Sequence, residues 1–333
     1  MMKKFVSLFI IVALLLFALT GCGNSEETRR LEEISAEMMK LNSERADLER
    51  DIEDAWEEYD STLSGGDCCF VLFFDNMTQN LMTKVFPLVS GYGYKGTVVM
   101  KDYQFPGGEG CITKKDYETL KAAGWDFAIG TGSVDLKSDN SVENLRAYLE
   151  DYKTLLSEEG FEFPSVFAFS KNQYDEKYTD LMLEFGFKVV RYEGGSLGKF
   201  SYSIGRNGIY LLSSDVICAD KTTMKADMQS AYKEKAAYAA YVRYIGDVVA
   251  DADNDLDCTT VKYNLMLDFL EDDCEEAKVF TATELYEYKA NTLAGSANFM
   301  DEFNEKIAAM EKRLAEVNAG IEELRKSITT TSE

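Results

Sequence analysis

The chain of 333 residues contains no histidine. That absence excludes a Ser-His-Asp triad and a Cys-His pair, both of which need an imidazole as base. It also removes the mixed Cys/His zinc sites, and no Cys-x-x-Cys spacing offers a thiolate alternative. Basic residues are scarce: 35 Lys and Arg face 59 Asp and Glu, a formal net charge of −24. Nucleic acid needs basic patches and anionic lipid needs clustered cations, so no nucleic acid and no electrostatic hold on a membrane surface is expected. The acidic excess is spread along the chain and reads as a solvated surface. No glycine-rich phosphate loop is present, and Gly107, Gly108 and Gly110 read as a flexible loop.

The N-terminus carries a targeting signal. Lys3 and Lys4 precede an apolar run from Phe5 to Leu19, followed by Thr20, Gly21 and Cys22. At about 15 residues the run is short for a membrane span, which needs roughly 20. The four residues Leu19 to Cys22 resemble a bacterial lipobox. That resemblance implies a signal peptide over residues 1–21, cleavage before Cys22 and lipid on Cys22. Two or more acyl chains give stable anchoring, so the mature protein is expected outside the cytoplasm, tethered to the cell membrane. An ordinary signal peptide or an uncleaved anchor is the alternative. Six cysteines follow: Cys68, Cys69, Cys111, Cys218, Cys258 and Cys274. An even number in an exported chain permits disulfides. Cys68 and Cys69 are adjacent at a strand start and point to opposite faces, which favours buried free thiols for most, with pairing open.

Two charged helices are predicted at the ends, over residues 22–63 and 297–328. Leu31, Ile34, Met38, Leu41, Arg45, Leu48, Ile52, Ala55 and Tyr59 alternate by three and four, as a coiled-coil seam requires. Met300, Phe303, Ile307, Met310, Leu314, Val317, Ile321, Leu324 and Ile328 repeat the pattern. An antiparallel intramolecular pair, each helix roughly 50 Å long, would make a stalk for the domain between them. A homodimer seam or another coiled-coil protein is the alternative partner, and Arg45 within the seam would set register.

Residues 67–291 alternate apolar runs with helical patterns. Strands are predicted at 70–74, 96–100, 125–129, 166–169, 187–191, 209–212 and 278–281, with an extended run at 239–245. Helices are predicted at 76–89, 113–123, 141–159, 175–185, 222–235 and 260–270, with Thr113 as an N-cap and Gly124 and Gly160 as stops. Repeated strand-helix units force parallel pairing, and about seven or eight of them point to an α/β barrel with its site at the C-terminal strand ends.

Several segments at those ends resemble the metal-dependent polysaccharide deacetylases, carbohydrate esterase family 4 with its NodB-homology fold. Val71 to Met77 is similar to the segment whose first Asp is the catalytic base and whose second is a metal ligand; here Asp75 keeps the first and Asn76 stands for the second. Gly124 to Leu136 is similar to the segment ending in His-x-x-x-His, with Gly130 and Val134 at the two histidine positions. Phe167 to Tyr174 resembles the groove-shaping turn without its Pro and Gly. Tyr244 to Val248 resembles the late His-Asp motif, with Gly246 where the general-acid histidine would stand. Tyr92 to Thr97, Phe185 to Lys188 and Val279 to Leu285 resemble connecting turns of the same scaffold. The resemblance covers about two thirds of the chain, and it implies a deacetylase-like (β/α) barrel that would hydrolyse carbohydrate N-acetyl groups.

The losses fall on the chemistry. The family's metal activates water and polarises the carbonyl. What remains near the expected site is Asp75, Asn76, Asp135 and Asp247, oxygen donors that suit Ca²⁺ or Mg²⁺ rather than zinc. No cofactor is expected. Asp251 to Asp257 mimics the start of an EF-hand loop, but Leu256 stands where the turn glycine belongs and Lys262 where the bidentate Glu belongs. It reads as a solvated loop whose Asp257 or Thr259 caps the next helix. The main reading is a non-catalytic envelope protein whose degenerate groove binds cell-wall glycan or an envelope protein. The alternatives are an atypical carbohydrate deacetylase or hydrolase with Asp75 as remnant base, and a coiled-coil spacer carrying the barrel as a head.

Overall fold

A computed structural model describes residues 25–64, 66–170, 173–193, 200–216, 221–247, 257–292, 295 and 298–331. The signal peptide, Cys22 and the acidic residues Asp251 to Asp255 lie outside the described residues. No described helix is long and apolar enough to cross a membrane. The chain divides into two compact units, one taking the stretches up to Tyr59 and from Asp301, the other running from Asp60 to Met300.

The first unit is built from helix α1 (Ser25–Ser64) and helix α9 (Phe299–Thr331). They pack antiparallel, because contacts advance along one as they retreat along the other. Trp56 and Tyr59 meet Phe303, Glu44 bonds Arg313, and Leu41 lies against Gly320. A single apolar seam is buried, including Ile34, Met38, Ile307 and Val317, while the opposite faces are charged and exposed. Arg45 is only partly exposed, and its Nε has no hydrogen-bond partner.

The second unit is a closed parallel barrel flanked by helices. Among the described residues its strands are β1 (Cys69–Phe74), β2 (Thr97–Met100), β3 (Asp126–Gly130), β4 (Val166–Ala168), β5 (Val189–Glu193), β6 (Tyr210–Val216) and β7 (Ala237–Val242). They pair in chain order, and β7 closes on β1 from Cys69↔Ala237 to Phe74↔Val242. A further strand, β10 (Lys278–Phe280), pairs with the first half of β1, while β2 takes its end. The pair β8 (Tyr244–Gly246) and β9 (Asp257–Thr259) forms a separate small sheet.

The residue pattern explains closure. Strands covered on both faces read as continuous apolar runs, and Cys69–Phe74 is buried at every position. Phe70, Leu72 and Phe74 belong to the cluster shared with the surrounding helices α2 (Phe86–Gly91), α3 (Lys114–Ala122), α4 (Ser141–Glu159), α5 (Thr179–Glu184), α6 (Lys221–Glu234) and α7 (Thr260–Asp272). Val71 and Phe73 alternate with them toward the barrel interior, where Ala128, Gly130, Ala168, Ala237 and Ala239 supply the small residues that let large ones fit. The last short helix is α8 (Ala282–Glu287).

Local signals behave as their chemistry dictates. Thr113 caps α3 through a capping box with Asp116, and Gly160 ends α4 in the left-handed region at φ 83°. Thr259 caps α7 by accepting from Lys262 N, whereas Asp257 pairs with Arg243; Lys262 sits in the first turn of that helix. The helix expected from residue 76 starts later, with a π turn at Leu81–Val85 followed by α2. Asn76 Oδ1 accepts from Thr78 N, an Asx turn that competes with helix, and Pro87 cannot donate to the turn before it. The strand expected at 187–191 runs two residues further along, so that Arg191 and Glu193 lie within it. The run at 239–245 breaks into β7 and β8 around Arg243. Cys68, Cys69, Cys111 and Cys274 are free, all buried except Cys111, whereas Cys258 is disulfide-bonded.

Candidate functional site

Asp75 follows the last residue of β1, where its N–H donates to Val242 O of β7 at 2.9 Å. The side chain is 5 % exposed, and its carboxylate accepts three hydrogen bonds. Arg191, projecting from β5 on the far side of the ring, grips it bidentately: Nη1 donates to Oδ1 at 2.5 Å and Nη2 to Oδ2 at 2.8 Å. Lys101, directly after β2, donates from Nζ to Oδ2 at 2.8 Å. Bidentate and charge-assisted bonds of this kind are the strong ones.

The guanidinium is 2 % exposed and lies between two rings, 4.9 Å from the Phe73 centroid and 4.6 Å from the Tyr241 centroid. Tyr241 donates its hydroxyl to Glu193 Oε2, so a second carboxylate stands on the Arg191 side. Nε of Arg191 has no hydrogen-bond partner. The barrel is thus crossed by a chain of charge from Lys101 through Asp75 to Arg191, ring-clamped and closed by Tyr241 and Glu193.

Burial alone would raise the Asp75 pKa. The adjacent Arg191 and Lys101 charges and their hydrogen bonds outweigh it and hold the carboxyl well below the usual carboxylate range. A general base works best with a pKa near the operating pH and a free lone pair. Asp75 lacks the first and is nearly out of the second: it is a weak base, and three of its roughly four lone-pair sites are already bonded.

The other expected site residues divide. Gly130 ends β3 and belongs to the same constellation, because a Cβ there would lie 2.8 Å from Val99 Cγ1, 2.9 Å from Lys101 Cγ and 3.0 Å from Lys101 Cε. The space a side chain at Gly130 would need is occupied by the lysine stem on its way to Asp75. Asn76 is spent on its Asx turn. Val134 is half-buried and packs against the hydrophobic cluster. Asp135 is exposed and accepts from Lys137 N. Gly246 ends β8, and a Cβ there would meet the Tyr244 ring at 2.6 Å. Asp247 is exposed and pairs with Lys84 at 3.0 Å. In the segment resembling the groove-shaping turn, Ser170 and Gln173 bond to Thr131, while Lys171 and Asn172 lie outside the described residues.

Among the described residues, no group of three or more His, Cys, Asp or Glu could hold a metal ion. The donor set at Asp75 agrees, since a cation entering there would have to displace two protein cations. Sequence reasoning missed Lys101 and Arg191. Their signal was a charge ending one apolar strand and a charge inside another, Val189-Val190-Arg191-Tyr192, because a fully buried strand admits a cation only beside a partner.

No family model matches this sequence, and no curated protein matches it. Several solved structures are similar to it. A Mycobacterium smegmatis protein assigned as a polysaccharide deacetylase shares 11 % identity at a TM-score of 0.45, over 67 % of this chain and 91 % of that one. A mutant of BA3943, described as a CE4 family pseudoenzyme, shares 10 % identity at a TM-score of 0.43, over 66 % and 68 %. The peptidoglycan deacetylase PdaC from Bacillus subtilis shares 10 % at a TM-score of 0.38, over 74 % and 96 %.

Proposed function

We propose that this is a lipid-anchored extracytoplasmic protein whose deacetylase-like barrel binds cell-wall glycan or an envelope protein and hydrolyses nothing. The observation that carries the non-catalytic half is the state of Asp75. Its carboxylate serves as counter-ion to Arg191 and Lys101 instead of activating water. The cations facing Asp75 are two protein monocations, and neither binds water as a Lewis acid does. With no histidine in the chain, no side chain supplies an imidazole as general acid.

Anchoring rests on the lipobox-like residues ending in Cys22, and the helix pair is read as a coiled-coil seam formed within one chain. Mass spectrometry of the N-terminal peptide of the detergent-extracted protein tests the anchor; a chain that does not begin at Cys22, or begins there without added acyl mass, refutes it. Acetate release from chitooligosaccharides and peptidoglycan, with chelator and then with Zn²⁺, Mg²⁺, Ca²⁺ or Co²⁺, tests the rest. No release above a variant carrying both Asp75→Asn and Arg191→Met is expected. Metal-dependent release that this double variant lacks would overturn the reading in favour of a hydrolase using Asp75.

A further inference from the structure

We infer that the exposed face of α7 is where two copies of this chain meet, helix against antiparallel helix. Val261 is 68 % exposed and Leu265 52 %, and at i,i+4 they share one face. Tyr244 on β8 is 39 % exposed, and its ring lies over Gly246. Gly246 pairs with Thr259, which caps α7 just before Val261. The apolar strip therefore runs from β8 onto the first turns of the helix. It holds three of the seven large apolar side chains that are exposed among the described residues. Such side chains scattered singly are ordinary, whereas a cluster of them marks a contact surface.

Charge points to a second copy as the occupant. Helix α7 carries its charges against its own dipole: Lys262 stands in the first turn and Glu271 and Asp272 in the last, where a helix favours the opposite signs. Among the described residues none of the three makes an ion pair, whereas the next acid, Asp273, pairs with Lys225. An antiparallel copy corrects both ends at once. Its Glu271 and Asp272 come beside the N-terminal turn and Lys262 of the first helix, and the first returns the same contacts, as a twofold interface requires. Asp272 stands two turns on from Leu265 and on the same face, so it reaches the second copy across the apolar contact. Two chains of net charge −24 repel, so a face of one sign would not self-associate; this one changes sign along its length. One helix face is a small interface, and the dimer is accordingly weak.

Sedimentation equilibrium on the mature chain without its lipid tests the contact, and a dissociation constant of about 10–100 µM is expected. Leu265→Glu, Lys262→Glu and Asp272→Lys should each weaken the dimer about tenfold or more. An equal mixture of Lys262→Glu and Asp272→Lys chains should recover it to within about threefold, because each helix end then meets its opposite charge. Leu265→Glu should keep its melting point within about 2 °C, since the side chain is at the surface. A larger drop would show the strip covered within its own chain and overturn the inference. A chain monomeric up to about 1 mM, a dimer indifferent to these variants, or a mixture no tighter than its components would overturn it as well.

Discussion

Replacing Asp75 with Asn tests the charge chain most directly. The change is nearly isosteric, but it removes the counter-ion of Arg191 and turns one acceptor into a donor facing a guanidinium N–H. Arg191 is 2 % exposed and packed between Phe73 and Tyr241, so it cannot reach water without opening the barrel. Lys101, at 23 %, can swing outward and adds less. Removing one partner of a buried pair costs about 3–5 kcal/mol. For a unit of this size each kcal/mol moves the unfolding midpoint by about 2–4 °C, so a drop of about 6–20 °C is expected by thermal near-UV circular dichroism. Adding Arg191→Met to Asp75→Asn should recover most of it, since an apolar side chain of similar length needs no partner. The pH dependence follows from the depressed carboxyl. Its contribution is whole above the unfolded value of about 4 and is lost as pH falls toward the lower folded value. The double variant lacks that contribution, so its stability should fall less steeply below about pH 4. A loss under about 1 kcal/mol in the single variant, or a double variant as unstable as the single, would refute the account.

Other substitutions probe the remaining arguments. Gly130→Ala places a methyl against Val99 and the Lys101 stem; a loss of about 1–3 kcal/mol in urea unfolding is expected, and a neutral result would show that the lysine is not held there. Tyr263 is fully buried and its hydroxyl has no partner, so Tyr263→Phe should be neutral or raise stability by about 1 kcal/mol in the same assay; a clear loss would mean that the hydroxyl is paired. Thr113→Ala removes the side-chain half of the α3 capping box, leaving the bond from the residue 113 N–H to Asp116, and should cost about 1 kcal/mol, whereas Thr113→Ser should be nearly silent.

Much of the architecture was legible because it is written in short-range chemistry. Continuous apolar runs marked strands buried on both faces, and Thr113, Gly124 and Gly160 marked helix ends by hydrogen bonding and positive φ. Boundaries slipped where side chains competed with the backbone, as at Asn76, or where a strand ran beyond its apolar core, as at Glu193. The chemistry at the strand ends was legible only in part. The absence of histidine could be read directly, whereas the partners of Asp75 could not.

The sequence by itself determined that no imidazole chemistry exists here, that parallel strand-helix units build the centre, and that Asp75 stands at a strand end. Composition and local periodicity carry those facts. Only the tertiary structure decided what Asp75 does. Lys101 is 26 residues away at the end of the neighbouring strand β2, and Arg191 is 116 residues away on β5, which comes opposite β1 only when the ring closes. Whether a carboxylate is a base, a ligand or a counter-ion depends on which charges are folded against it, and that is set by barrel closure rather than by any local run of residues.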